Sequence, residues 1–343
     1  MLAQLFHRWE TRLADGSHSA RIVRPFDWGL DWIPTNGHPP EPSPEQAVRN
    51  WIDTVMRDTD AFFTPSPTAD YTFARNSSEP NDAGTLIFPS ALTTPHDVNN
   101  TVYARLFPAG DKRRAVVVLP QWNSDAGGHL GLSRLLARMG ITALRLSLPY
   151  HDRRMPPELS RADFIVSSNV VRTVQVCRQA VLDARRALWW LRDQGYERLG
   201  LLGTSLGSCL AMLTAAHEPL VQAQALNHVS PFFADVVWRG LSTSHVREGL
   251  EGHVELETLR DLWRPISPWS YLERARGRKT LLVYAKYDLT FPVDLSRKLV
   301  DEFARRRITT DVAVLPCGHY STGEAPYKFL DAYYLIRFLR RNL

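Results

Sequence analysis

With 343 residues, the chain exceeds an average domain, although an α/β fold can hold roughly 200–250 residues as one unit. Hydrophobic residues make up 44% and charged residues 22%, as in an ordinary soluble globular protein, so a large core is expected. The 41 basic and 36 acidic residues give a formal charge of +5. Basic clusters at 112–114 and 305–307 lie beside predicted strand or helix ends, which favours solvated surface over a nucleic-acid or anionic-lipid patch.

Cysteine usage and the first residues indicate the compartment. Cys177, Cys209 and Cys317 are odd in number and widely spaced, which favours a reducing compartment without a disulfide framework or a metal site. The first ten residues lack a continuous apolar region and a small-residue cleavage site. No stretch approaches the ~20 apolar residues needed to span a bilayer. We therefore expect a cytoplasmic protein with no transmembrane segment, and no pattern specifies its oligomeric state.

Residues 1–84 are predicted to form an N-terminal extension that packs on the main domain through its tryptophans. An aromatic run at 26–32 reads Phe-Asp-Trp-Gly-Leu-Asp-Trp. Ser43 is predicted to cap a helix that continues to about residue 62, because Gln46 stands three residues after it as in a capping box. No chemistry is predicted in this extension.

From residue 85 to residue 343, predicted strands alternate with predicted helices. The strands are expected at 85–88, 100–107, 115–119, 141–148, 199–202, 223–227, 280–285 and 311–315. Helices are expected at 130–139, 164–194, directly after residue 205, 292–307 and 325–341. The run Ala-Val-Val-Val-Leu at 115–119 is typical of a strand buried on both faces. This alternation predicts an α/β domain with a mostly parallel central sheet flanked by helices and joined by right-handed crossovers.

One pentapeptide, Gly-Thr-Ser-Leu-Gly at 203–207, stands between an apolar strand and a helix rich in small residues. A serine on a sharp strand-to-helix turn needs glycines two positions to either side, where the strand and helix approach closely. Such a turn would expose the Ser205 hydroxyl as a nucleophile at the edge of the sheet. The competing interpretation is a glycine-rich connection in which the serine only caps the helix.

Two further polar residues follow predicted strand ends and complete a chain order typical of serine hydrolases. Asp288 follows strand 280–285, and His319 follows strand 311–315. A serine hydroxyl needs a neighbouring imidazole to take its proton, and a carboxylate fixes the imidazole tautomer. Ser205, Asp288 and His319 are therefore the predicted triad. Asp288 is preferred to Asp294, which is expected in the first turn of a helix, and to Asp235, which falls inside the segment at 232–275.

The oxyanion of the reaction would need backbone N–H donors. Leu206, at the start of the helix after the serine, is the first predicted donor. The second is expected in the loop after strand 115–119, with Trp122 the first choice and Gln121 the second. Trp122 could instead only form part of the pocket wall.

Residues from about 85 to 343 resemble the α/β-hydrolase superfamily of serine hydrolases. The resemblance rests on the pentapeptide at 203–207, the Asp288 loop with Pro292, the Gly-His pair at 318–319 and the run Leu-Ser-Leu-Pro-Tyr-His-Asp at 146–152. The chain departs from the family where many members carry His-Gly before the oxyanion residue, since Pro120 and Gln121 stand there. The resemblance implies hydrolysis of esters or related acyl bonds without a cofactor. No metal site is predicted, because the other histidines show no metal-ligand spacing such as His-Glu-x-x-His.

An aromatic and aliphatic segment at about 232–275 follows strand 223–227, where such folds often insert a cap. Phe232, Phe233, Trp238 and Trp263 are its candidate substrate-binding residues, although they could only pack the cap onto the core.

The function expected from these observations is cleavage of a small-molecule carboxylic ester of small or medium acyl chain. The alternatives are an amidase or peptidase of the same fold, or a catalytically silent hydrolase fold that binds a ligand or a protein.

Overall fold

A computed structural model describes residues 2–16, 21–34, 43–75 and 83–343. Within these ranges, nine strands form one sheet: β1 Thr72–Arg75, β2 Gly84–Pro89, β3 Thr101–Phe107, β4 Arg114–Leu119, β5 Thr142–Leu146, β6 Arg198–Thr204, β7 Val221–Asn227, β8 Lys279–Ala285 and β9 Thr310–Leu315. Their order is β1-β2-β3-β5-β4-β6-β7-β8-β9. The six strands from β5 to β9 are parallel, and β1 to β3 pair antiparallel, so the predicted mostly parallel sheet is confirmed.

The α-helices of the described residues are α1 Leu2–Gly16, α2 Pro44–Arg57, α3 Thr59–Phe62, α4 Leu130–Arg138, α5 Val170–Asp193, α6 Leu206–His217, α7 Phe233–Arg239, α8 Ser244–Leu250, α9 Leu256–Leu262, α10 Val293–Arg305 and α11 Tyr327–Asn342. None of the helices in this part of the chain is both long and apolar enough to cross a membrane.

The sheet is buried on both faces, as the apolar run of β4 predicts. Val117 and Leu119 pack in the core that contains α5 and α6. Val116 and Val118 point to the opposite face and pack with α4 and α11. Because side chains alternate along a strand, one apolar run serves two cores, and the sheet becomes a rigid support for the loops at its edge.

Two helices begin or end several residues from their predicted positions for local reasons, and one strand was not predicted. The Ser43 hydroxyl accepts from the Gln46 N–H at 3.2 Å as expected, but α2 ends at Arg57 because Asp58 leaves the helical region and caps the separate helix α3. Helix α5 begins at Val170 because the Asn169 side chain caps it. Strand β1 lies before residue 84 and pairs with β2 at the edge of the sheet.

The topology brings four loops to one place. Strands β6, β7, β8 and β9 are parallel neighbours, so their carboxyl ends lie along the same edge of the sheet. Ligand-binding groups of open α/β sheets gather at this edge. The residues that follow these strand ends include Ser205, His228, Asp288 and His319.

Candidate active site

Ser205 occupies a strained turn between β6 and α6. Its backbone has φ 57° and ψ −120°, a conformation that residues with a side chain rarely adopt, and its N–H donates to the Asn227 carbonyl at 2.8 Å. A Cβ at Gly203 would collide with the carbonyl of Gly207, and a Cβ at Gly207 would collide with the carbonyl of Leu119. Both glycines are therefore needed for close packing of β4, β6 and α6.

The side chain of Ser205 does not cap α6, which was the competing interpretation. Its Oγ lies 3.1 Å from Nε2 of His319. Nδ1 of the same imidazole lies 3.0 Å from Oδ2 of Asp288. The structure thus brings together the three residues that the sequence proposed as a triad, in one continuous line of hydrogen bonds. Asp294 lies elsewhere, in an exposed ion pair with Arg239 at 2.7 Å.

The carboxylate of Asp288 is buried and accepts four hydrogen bonds. Oδ1 accepts from the backbone N–H groups of Thr290 and Phe291, at 2.8 and 2.7 Å. Oδ2 accepts from Nδ1 of His319 and from Nδ1 of His228, the latter at 2.9 Å. Burial raises the pKa of Asp288, but the charge of His319 and the hydrogen bonds from both imidazoles outweigh it and hold the pKa well below its usual range. Asp288 is therefore ionised at neutral pH.

His228 is the functional candidate that the sequence analysis did not single out. It follows β7 directly with φ 56°, is 2% exposed, and its ring lies 4.3 Å from that of His319. The available signal was its position after a strand end beside the strand that carries Ser205. His228, Asp288 and His319 also bring one potential metal-ligand atom each within 4.8 Å of one another. The hydrogen bonds from the two imidazoles to one carboxylate oxygen account for this cluster without an ion.

Trp122 and Gln121, the candidate second oxyanion residues, line the same cavity as Leu206. The Trp122 ring is held by its indole N–H, which donates to the Ala162 carbonyl at 2.8 Å. The next residue, Asn123, donates its backbone N–H to Nε2 of His151 at 3.0 Å.

His151 has a defined tautomer. Its Nδ1 lies 2.8 Å from the Pro149 carbonyl, which can only accept, so Nδ1 carries the proton and Nε2 is the acceptor for Asn123. Burial lowers the pKa of His151 to about 4, so the ring is neutral at physiological pH. A neutral imidazole thus braces the loop after β4 beside Ser205.

A cavity of about 890 Å³ opens above Ser205. Its wall is largely apolar and includes Trp122, Leu132, Leu135, Val166, Phe232, Phe233, Val236, Val237, Phe291 and Phe329, with Arg21, Arg161 and Lys328 as its cationic residues. A volume of this size is typical of a small-molecule site.

Two of the four candidate substrate-binding residues of the 232–275 segment line the cavity, and two do not. Phe232 and Phe233 belong to its wall. Trp263 is fully buried beneath it, where its indole N–H donates to the Val170 carbonyl at 3.1 Å and its ring meets that of Phe233 edge-on. Trp238 is half-buried and packs against the core outside the cavity wall. Helical spacing explains the difference between Phe233 and Trp238, because both belong to α7 and only one face of that helix meets the cavity.

The buried cysteines are poor nucleophiles. Cys209 lines the cavity one turn after Ser205, and burial raises the pKa of its thiol far above the ordinary value. Burial likewise raises the pKa of Cys317 to about 12. Since the thiolate is the reactive form, neither cysteine competes with Ser205 for that role.

Comparisons with known proteins agree with the fold. The family model described as alpha/beta hydrolase domain containing 18 matches residues 88–254. A search of curated proteins finds no match. An acetyl xylan esterase from Paenibacillus sp. R4 superposes with a TM-score of 0.62 at 14% identity, over 97% of this chain and 99% of that one. The chain has the α/β-hydrolase fold.

Other solved structures share this α/β-hydrolase fold over different extents. Acetyl xylan esterase 1 from Thermoanaerobacterium sp. JW/SL YS485 has a TM-score of 0.59 at 15% identity, over 91% of this chain and 99% of that one. The acylaminoacyl peptidase of Pyrococcus horikoshii has a TM-score of 0.58 at 13% identity and matches 71% of this chain. This chain covers only 40% of that peptidase.

Asp331, on α11, faces the same cavity and differs from Asp288 in its titration. Its Oδ2 accepts from the Asn227 side chain at 2.9 Å, whereas its enclosed Oδ1 has no hydrogen-bond partner among the described residues. Burial raises the pKa of Asp331 to about 6, although the charge of His228 and the Asn227 hydrogen bond act against it. Asp331 therefore holds a proton in the folded protein at mildly acidic pH.

This raised pKa predicts a pH-dependent stability. Between the ordinary value of 3.8 and about 6, the folded chain binds the proton and the unfolded chain does not, so the free energy of unfolding falls as pH rises through this window. We expect this contribution to be on the order of 3 kcal/mol and to be absent in Asp331→Asn. Urea unfolding from pH 3.5 to 7 measures this contribution as the difference in the free energy of unfolding between parent and variant. The exposed Asp301→Asn change is the control, and a constant difference between parent and Asp331→Asn would contradict the prediction.

Proposed function

We propose that this protein is a serine hydrolase that cleaves carboxylic esters of small or medium acyl chain. The observation that carries the proposal is the line of hydrogen bonds from Ser205 through His319 to Asp288, at 3.1 and 3.0 Å, on the floor of a largely apolar cavity. His319 lies within hydrogen-bond reach of both Ser205 and Asp288, so the base stands between the nucleophile and the orienting acid.

The reaction divides into two acyl transfers. Nε2 of His319 takes the proton from Ser205 as Oγ attacks the carbonyl carbon, and the Leu206 and Trp122 N–H groups, or Gln121 in place of Trp122, stabilise the oxyanion. The imidazolium then gives its proton to the departing alcohol, which leaves an acyl group on Oγ. Water, deprotonated by His319, then attacks this acyl-enzyme. The imidazolium returns its proton to Oγ of Ser205 as the carboxylic acid leaves. The proposed reaction uses no cofactor.

The strained backbone of Ser205 supports catalysis over a silent binding role. A non-glycine residue at this φ costs about 1–3 kcal/mol, and residues strained in this way cluster at active sites. A protein that only bound a ligand here would gain stability from glycine at the same position. The two acetyl xylan esterases match this chain over nearly their whole length, whereas the peptidase matches over less than half of its own. This difference favours an esterase over a peptidase.

Replacement of the nucleophile tests the proposal directly. Ser205→Ala should abolish labelling by a fluorophosphonate probe and lower kcat on p-nitrophenyl esters by several orders of magnitude, with the far-ultraviolet circular dichroism unchanged. Substantial esterase activity in Ser205→Ala would contradict the assignment. Equal turnover of an ester and the p-nitroanilide of the same acid would change the assignment from esterase to amidase.

The acid of the triad has a matched control in Asp294, which lies in the first turn of α10. Asp288→Asn should lower kcat by on the order of 10⁴, because an amide cannot stabilise the imidazolium and favours the wrong tautomer. Asp294→Asn removes only an exposed ion pair and should leave kcat within about twofold of the parent. Steady-state kinetics of the two variants test this prediction. A larger loss of kcat in Asp294→Asn than in Asp288→Asn would assign the acid of the triad to Asp294.

The cavity wall predicts a preference for acyl length. Each buried methylene contributes about 0.8 kcal/mol, so kcat/KM should rise roughly fourfold per methylene from acetate to a medium chain and then fall once the cavity is full. Phe233→Ala should move the optimum to longer chains, because Phe233 lines the wall. Trp238→Ala, on the same helix but outside the wall, is the control. If the dependence of kcat/KM on chain length is unchanged in Phe233→Ala, the 232–275 segment does not determine the preferred acyl length.

A further inference from the structure

Helix α1, in the N-terminal extension, packs on the loops that carry His319 and Asp288. Its inward residues follow helical spacing: Phe6, Trp9 and Leu13 are half-buried, and Glu10 and Ala14 are fully buried. Four of these five side chains are apolar, as burial requires. The fifth is a carboxylate at the centre of the face.

The Glu10 carboxylate accepts hydrogen bonds from the backbone directly after His319. Oε2 accepts the N–H of Tyr320, and Oε1 accepts the N–H of Ser321, both at 2.8 Å. The side chain is fully buried, so water does not share these contacts. A buried carboxylate that accepts two adjacent N–H groups holds that peptide segment in one orientation.

The loop is shaped around this carboxylate. A Cβ at Gly318 would collide with the carboxyl carbon of Glu10. No positive φ is required at Gly318, so a glycine before His319 is explained by the room that Glu10 occupies. The loop also folds on itself through the Ser321 hydroxyl, which accepts the Gly318 N–H at 2.8 Å.

The same helix reaches the loop of the triad acid. The ring of Phe6 stacks on that of Tyr287, with centroids 4.5 Å apart and planes 10° apart. Tyr287 immediately precedes Asp288, and its N–H donates to the Cys317 carbonyl at 2.9 Å. Helix α1 therefore contacts a neighbour of each of the two residues whose separation must stay at hydrogen-bond distance.

We propose that Glu10 is a positioning residue of the active site, which holds the His319 loop so that the imidazole bridges Asp288 and Ser205. This assignment rests on the proposed function and extends the site to a helix about three hundred residues away in sequence. Without the carboxylate, two buried N–H groups lose their acceptor, and the loop must move to find another. A displacement of about 1 Å at a catalytic group can lower the rate a hundredfold.

Glu10→Ala and Glu10→Gln test the assignment in the full chain. Glu10→Ala should lower kcat about 10- to 100-fold with KM within twofold, and should slow fluorophosphonate labelling of Ser205 by a similar factor. Glu10→Gln keeps one acceptor and should retain more of kcat. Hydrogen exchange measured by mass spectrometry on peptides that span 318–323 should become faster in both variants.

Two matched variants separate positioning from loss of stability. Thr11→Ala removes only a hydrogen bond to the His7 carbonyl on the exposed face of the same helix, and Val55→Ala weakens the buried face of α2. Both should keep parental kcat and parental exchange at 318–323. If Glu10→Ala fails to fold, Glu10→Gln decides.

Parental kcat in the folded Glu10 variants, or an equal loss of kcat in a Val55→Ala protein of the same melting temperature, would overturn the proposal. If the parent cleaves no ester, the proposed function fails by itself, and the exchange experiment still decides whether Glu10 holds the loop.

Discussion

A single buried anion organises this site. The Asp288 carboxylate lies away from water, where an ionised group persists only if its lone pairs are satisfied. Two donors come from the backbone of its own loop and fix Oδ1 there. Oδ2 is left to two imidazoles, and the one on His319 is thereby turned with Nε2 toward Ser205. The orientation of the base is thus a consequence of how one charge is accommodated.

The serine side of the site depends on close packing rather than on charge. Strand β6, helix α6 and the end of β4 approach so closely that only glycine fits at 203 and 207, and the chain between them must turn through the strained conformation of Ser205. The apolar cores on the two faces of the sheet stabilise that strain. The loop after β4 is held separately, by neutral His151 and by the buried guanidinium of Arg145, which donates to the Asp125 and Gly128 carbonyls of that loop.

The site is therefore assembled from loops whose positions are each determined by buried polar contacts. Ser242 illustrates this, since its hydroxyl lies 2.6 Å from that of Tyr320 and 2.8 Å from that of Thr290. It links the 232–275 segment to the loops of both His319 and Asp288. The N-terminal helix adds Glu10 and Phe6 to the same loops. Cavity shape and triad geometry are consequently coupled to parts of the chain that carry no reacting atom.

The sequence by itself determined the fold class, the strand-turn-helix around Ser205 and the order of serine, aspartate and histidine, because these follow from hydrophobic periodicity and from local glycine requirements. Only the tertiary structure decided that His228 shares the carboxylate, that Phe233 faces the cavity while Trp263 lies beneath it, and that Glu10 contacts the loop of His319. Periodicity indicates which residues are buried, but it does not say which other residues they meet. Contacts between residues hundreds of positions apart depend on how helices and loops pack on the finished sheet, and a lone histidine or glutamate carries no local pattern that reveals them.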